Sequence, residues 1–120
     1  MATLIPSLTL SCADGTTDLI NFSVVDSLNV TQDIVAPSKI KLTTSDLEIG
    51  PTTYGKSYVY LKNTDDTIAI NIEITDGNST MQLAAGEFMF APIHDGNATL
   101  TQLEASSGTI VAEYAYFSKA

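Results

Sequence analysis

The chain has no arginine and no tryptophan, one histidine (His94), one cysteine (Cys12), and five lysines set against 14 acidic residues. Without arginine it lacks the usual bidentate clamp for phosphate and carboxylate groups. A net charge of −9 works against nucleic acid and anionic membranes, because binding phosphates requires cations to neutralise them. One cysteine excludes an internal disulfide framework. One histidine with one cysteine does not by itself supply the three or four ligands of a zinc site. No apolar run approaches the roughly 20 residues of a bilayer-spanning helix. Residues 1–6 lack the basic and long apolar regions of a signal peptide, so synthesis in a cytosol is expected.

The catalytic palette is equally thin. His94 directly precedes Asp95-Gly96, which predicts an exposed turn residue and not a general base. No serine lies in a Gly-x-Ser-x-Gly elbow. The acidic pairs Asp65-Asp66 and Asp46 with Glu48 read as solvated turn acids and not as the carboxylates of a glycosidase cleft. No catalytic or cofactor-binding residue is assigned, no cofactor is expected, and the chain is expected not to be an enzyme.

What is present is period-two alternation. It runs through Leu8/Leu10/Cys12, Ile20/Phe22/Val24, Leu28/Val30, Ile40/Leu42, Val59/Leu61, Ile68/Ile70/Ile72/Ile74, Phe88/Phe90 and Ile110/Ala112/Tyr114/Tyr116. Such alternation marks strands with one buried face. Between Thr67 and Thr75 the opposite face, Ala69, Asn71 and Glu73, reads as wet. No i, i+3, i+4 pattern is sustained. With 120 residues and 44% apolar residues, one folded domain (1–120) is expected. The fold class predicted is all-β: an antiparallel β-sandwich, jelly-roll-like, with eight to ten short strands and almost no helix. Residues 1–6 are expected to form a flexible arm. Cys12, in phase with Leu8 and Leu10, is expected to be a small buried hydrophobe.

Turn chemistry separates the strands. Asp14-Gly15, Asp26-Ser27, Ala36-Pro37, Asn63-Thr64-Asp65-Asp66, Ala85-Gly86 and Ser106-Ser107-Gly108 all punctuate the pattern. The stretch from Ser45 to Gly55 contains Gly50-Pro51, which predicts a long crossover, since proline cannot donate to a ladder. One turn is written twice: Ile74-Thr75-Asp76-Gly77-Asn78-Ser79-Thr80-Met81 returns as Ile93-His94-Asp95-Gly96-Asn97-Ala98-Thr99-Leu100. Asp-Gly makes tight turns because glycine reaches positive φ without a Cβ clash. The repeat predicts a β-meander with both loops at one end. Asp76, Asn78, Asp95 and Asn97 are hard oxygen ligands, yet two per loop is few for calcium, so the turns are read as structural and no metal ligand is assigned. The Asn-x-Ser/Thr patterns at Asn21, Asn29, Asn78 and Asn97 are read as polar alternation and not as glycosylation sites.

Tyr58/Tyr60 and Tyr114/Tyr116 alternate with Val59/Leu61 and Ala115/Phe117, so both faces of these strands are apolar. That pattern fits a two-sided core or a subunit contact; Tyr54 completes the tyrosine set.

Three phrases carry a resemblance: Tyr58-Val59-Tyr60-Leu61-Lys62-Asn63-Thr64-Asp65-Asp66, then Met81-Gln82-Leu83-Ala84-Ala85-Gly86-Glu87-Phe88, then Val111-Ala112-Glu113-Tyr114-Ala115. Over residues 57–117 the chain resembles small β-rich virion proteins of tailed bacteriophages, of the decoration or cement type. The resemblance implies a non-enzymatic virion subunit, made in the host bacterial cytoplasm, whose partners are other virion proteins, the major capsid protein first. It also implies a homo-oligomer, with a trimer favoured by three-fold capsid positions. The alternative is a neck, fibre or tail component that binds a host glycan, which the missing tryptophan weakens.

Overall fold

The computed structural model describes residues 2–12, 20–49, 56–75, 78–94 and 101–119. The first part of the chain is one hairpin with a bend in it. Strand β1 (Ala2–Leu4) pairs with the start of β4 (Leu28–Leu42), Leu4 opposite Leu28. Strand β2 (Ser7–Cys12) pairs with β3 (Ile20–Val25), Ser7 opposite Val25, in the same register. The ladder breaks at Pro6, which has no N–H to give. Only a 3.2 Å bond from Asp26 N to the Pro6 carbonyl spans the gap. The proximal half of the hairpin is stitched into the main sheet, and the distal half forms a separate two-stranded ribbon.

Residues 2–4 of the expected flexible arm are therefore a strand. Ala36-Pro37, expected as a break, lies inside the 15-residue β4. The register there jumps from Ser38 opposite Tyr114 to Val35 opposite Tyr116, and such a bulge is where a strand tolerates proline.

The remaining strands are β5 (Leu47–Ile49), β6 (Lys56–Asn63), β7 (Ile70–Thr75), β8 (Asn78–Leu83), β9 (Phe88–His94), β10 (Thr101–Ala105) and β11 (Ile110–Lys119). Every pairing is antiparallel. The fold is all-β, and no helix occurs among the described residues. The main sheet has the order β1-β4-β11-β6-β9, a second has β5-β10-β7-β8, and the ribbon β2-β3 is the third. Among the described residues eleven strands thus stand where eight to ten were expected. The three sheets remain separate.

The alternation sorts side chains as predicted along the centre of the chain. Leu42, Val59, Leu61, Ala112 and Tyr116 from the main sheet join Ile70, Ile72, Leu83, Leu103 and Ala105 from the four-stranded sheet in one buried cluster. Full burial of each leucine or isoleucine is worth about 1.5–3 kcal/mol.

The twin turns behave differently from a meander. Strand β7 turns into β8 within one sheet, but β9 then pairs with β6 in the other, and β10 returns beside β7. Gln102 lies opposite Glu73, so the strand entered from the second loop starts at the end where β7 leaves for the first. Asp76-Gly77 and Asp95-Gly96-Asn97 themselves lie outside the described residues, as do Asp14-Gly15, Gly50-Pro51 and Tyr54.

The switch of sheets after β8 has a physical cause. Asn63 is fully buried, and its side-chain amide donates to the carbonyls of Ile68 (2.8 Å) and Leu83 (3.1 Å) while its side-chain oxygen accepts from Asp65 N (3.0 Å). Its backbone accepts from Gly86 N (3.1 Å) and donates to Glu87 O (2.9 Å). Gly86 sits at φ +80° with open space around it, a conformation that costs other residues a Cβ clash. Glu87 closes the turn by accepting from Ala84 N (2.7 Å). One asparagine thus holds the end of β6, the β6–β7 loop and the β8–β9 turn together.

Asn63→Ala leaves two carbonyls without these donors and is expected to cost about 2–4 kcal/mol in urea unfolding. The exposed neighbour change Lys62→Ala should shift stability by less than about 0.5 kcal/mol.

Candidate functional site

Register decides which side chains reach the outer face of the main sheet. Val59 and Leu61 point into the core, so Tyr58 and Tyr60 between them point away from it. Tyr60 lies opposite Phe90 on β9 and Ala115 on β11, and Tyr58 lies opposite Phe117. Tyr116 is in the core and Tyr114 packs against it. The two tyrosine pairs are thus divided between the faces: Tyr114/Tyr116 inward, Tyr58/Tyr60 outward.

The outward aromatics are fixed in place. The Tyr58 and Phe90 rings stack with centroids 5.9 Å apart and 12° between planes. The Lys119 ammonium lies 4.6 Å from the Tyr58 ring centre, a cation–π contact. The Tyr60 hydroxyl donates to Glu113 at 2.9 Å. Burial, then this hydrogen bond and the negative charge of Glu113, raise the Tyr60 pKa above its ordinary value near 10.

Tyr60 and Phe90 help to floor an open cavity of about 600 Å³. Tyr60, Phe88, Phe90 and Phe117 come from the sheet, while Leu4, Pro6 and Leu8 come from the bend of the hairpin. None of the lining residues carries a charge. The volume is that of a ligand pocket, but the convergent polar groups that orient a small ligand are scarce in its lining.

Beside the groove, the ribbon β2-β3 exposes an apolar face. Leu8 is paired with Val24, and Leu10 with Phe22. Paired residues share a face, so Leu8, Leu10, Cys12, Phe22 and Val24 form one surface, with Ser7, Thr9, Ser11, Asn21 and Ser23 on the other. All five apolar-face residues are exposed. The expectation that Cys12 is buried is corrected: its alternating phase is right, but the ribbon is a sheet of its own and among the described residues Cys12 is exposed.

An acidic group lies on the second sheet. Carboxylate oxygens of Asp46, Glu73 and Glu104 come within 4.8 Å of one another. Glu104 accepts from Asn71 Nδ2 (3.3 Å), and Asn71 accepts from Gln82 Nε2 (2.8 Å). Asp46 was paired in sequence with Glu48; the β10 register instead joins it to acids remote in the chain. Glu73, expected on a wet face, is buried. Asp65 is a capping residue: its carboxylate accepts from Ile68 N (2.6 Å) and Thr67 N (2.9 Å), which lowers its pKa. His94 is the last residue of β9, opposite Lys56.

The resemblance phrases have a mechanical role here. Asn63, Gly86 and Glu87 build the joint between the sheets, Tyr60 and Phe88 line the groove, and Tyr58 stacks on the groove residue Phe90. The exposed ribbon gave no separate signal in sequence, because alternation is the same whether the covering surface is a core or a partner. Comparison of the chain with protein families, curated proteins and solved structures finds no match to any of them.

Two outcomes test this electrostatic picture. A raised Tyr60 pKa means that the folded state holds the phenol proton more tightly. Its contribution is full below about pH 10 and is lost as pH rises through the folded value. Tyr60→Phe should cost about 0.5–1 kcal/mol near neutrality and flatten the alkaline decline, as read by thermal unfolding across pH. Glu104→Gln keeps an acceptor for Asn71 and removes like-charge repulsion, so it should raise stability by about 0.5 kcal/mol at low salt and less at high salt.

Proposed function

We propose that this chain is a non-enzymatic structural subunit of a tailed-bacteriophage virion, a capsid decoration or cement protein that works by protein–protein contact. The observation that carries the reading is the ribbon, whose apolar-face residues Leu8, Leu10, Cys12, Phe22 and Val24 are exposed. A lone two-stranded hairpin is marginal in water, and a face of leucine, phenylalanine and valine is matched by a protein surface that covers it. The shared core of the two larger sheets supports a β-sandwich scaffold, jelly-roll-like, as the rigid mount for that ribbon.

The physics suits cement. Apolar contact is worth about 25 cal/mol per Å², and a small gain per subunit is multiplied over many identical positions on a shell. The net charge of −9 keeps finished particles apart. The partner is the major capsid protein, with further copies of this chain beside it. Assembly takes place in the host bacterial cytoplasm, and the protein ends in the virion.

The adsorption alternative finds little support in the groove. Its lining offers the hydroxyls of Ser7 and Tyr60, and that of Tyr60 is donated to Glu113. Sugar hydroxyls need more partners than this.

Capsids lacking the protein should lose resistance to heat or low salt and regain it when the wild-type chain is added back. Equal resistance with and without it would sink the cement role. A glycan array should stay blank; saturable binding that weakens on Tyr54→Ala or Asp95→Ala would favour adsorption instead.

A further inference from the structure

The ribbon and the groove are complementary surfaces on the same chain. The ribbon has an apolar face six residues long and two strands wide. The groove is an aromatic-floored channel on the outer face of the main sheet. In a chain of net charge −9 two copies repel each other, but no residue of β2, β3 or the groove lining is charged. A second copy can therefore approach with uncharged surfaces in contact, while Asp26 at the ribbon base and Glu113, which accepts from the groove's Tyr60 hydroxyl at 2.9 Å, lie beside the two patches.

We infer that the groove receives the ribbon of a second copy, and that two chains exchange ribbons reciprocally about a twofold axis. Magnitude selects this arrangement. Taking roughly 200 Å² as an upper value for each side chain, the figure for an aromatic, the exposed fractions of Leu8, Leu10, Phe22 and Val24 (42, 43, 49 and 53%) and of Phe88 and Phe90 (58 and 39%) amount to at most about 570 Å² per contact. Stable specific interfaces begin near ~1,200 Å². One ribbon in one groove falls far short, whereas two reciprocal contacts, about 1,100 Å² when fully buried, come close to that size. The covalent path agrees: Pro6, Ser7 and Leu8, where the ribbon begins, line their own chain's groove. A partner ribbon seated there lies alongside the base of the resident one, so the two grooves face each other across the axis.

The inference goes beyond the reading of the chain as an assembly subunit and rests on it in taking exposed apolar surface as contact surface; in the free protein it gives the ribbon to a second copy, with which a capsid surface competes for the same face. The two fail separately, since pairing is read on the isolated chain and capsid protection on particles. The experiment is sedimentation velocity of the full chain from about 1 to 100 µM, a range over which mass action displays a concentration-dependent pair. The wild-type chain should form a dimer. The ribbon double variant Leu10→Asp/Phe22→Asp and the groove variant Phe90→Asp should both sediment as monomers with unchanged far-ultraviolet circular dichroism.

Phe90→Asp leaves every ribbon residue in place, so a dimer that survives it means ribbons packing on one another and overturns the proposal. A wild-type monomer throughout, or a trimer, overturns it as well. Should either variant fail to fold, the unmodified chain decides. Cys12 lies on the apolar face and is the only thiol, so maleimide labelling should slow several-fold as concentration rises. A labelling rate independent of concentration contradicts the pairing.

Discussion

The buried side chain of Asn63 holds the two larger sheets in their relation. Its amide reaches Ile68 O and Leu83 O, and its backbone engages Gly86 and Glu87. A buried amide with partners at both ends is satisfied; one without them costs the full desolvation penalty of the exposed dipoles. The geometry is therefore demanded and not merely allowed. Because the β8–β9 turn is fastened to the end of β6, β9 emerges beside β6 and not beside β8. That placement puts Phe90 against Tyr58 and opposite Tyr60, and it creates the aromatic floor of the groove. Strand β9 is an edge strand, and Pro92 within it blunts the open ladder.

A second constraint works at the hairpin. The register of β1 against β4 continues into β2 against β3, so ladder pairing alone would carry a straight ribbon along the main sheet. Pro6 removes a donor at the junction, and Asp26 turns its carboxylate to the N–H of Ser27 (2.7 Å) to begin a turn. The chain bends there, and the distal strands leave the sheet with their apolar face uncovered. The same alternation that buries Leu42 and Leu61 leaves Leu8 and Leu10 partly exposed. Position relative to the bend makes the difference, since the side chains are of one kind.

This explains how far the sequence could be read. The all-β character, the antiparallel pairing, the core positions of β6, β7 and β11, and the turns at Asn63–Asp66, Ala85-Gly86 and Ser106–Gly108 follow from local rules: period two and turn chemistry. What escaped was long-range. Nothing local to β8 says that the next strand will join the other sheet, because the instruction sits in Asn63, 20 residues upstream of Leu83. Cys12 was misplaced for a related reason, since period two reports that a face is covered without saying by which molecule. The Asp46, Glu73 and Glu104 group came from three separate segments and left no spacing to detect. The groove was half legible: the two apolar faces of Tyr58–Leu61 were evident, and the register then assigned each face to its layer.

Charge distribution completes the physical picture. A net charge of −9 in 120 residues makes nearly any random encounter between copies unfavourable, and the penalty grows as salt falls. Hydrophobic burial is nearly indifferent to salt of ordinary strength. A surface built from acidic residues with a few uncharged apolar windows therefore filters encounters. Approach is tolerated where the windows meet and opposed elsewhere. Such a filter needs windows large enough to offset the remaining repulsion, and the ribbon and groove are the uncharged apolar surfaces of that extent among the described residues. The acidity that works against phosphate-bearing partners also works against encounters between copies outside such windows.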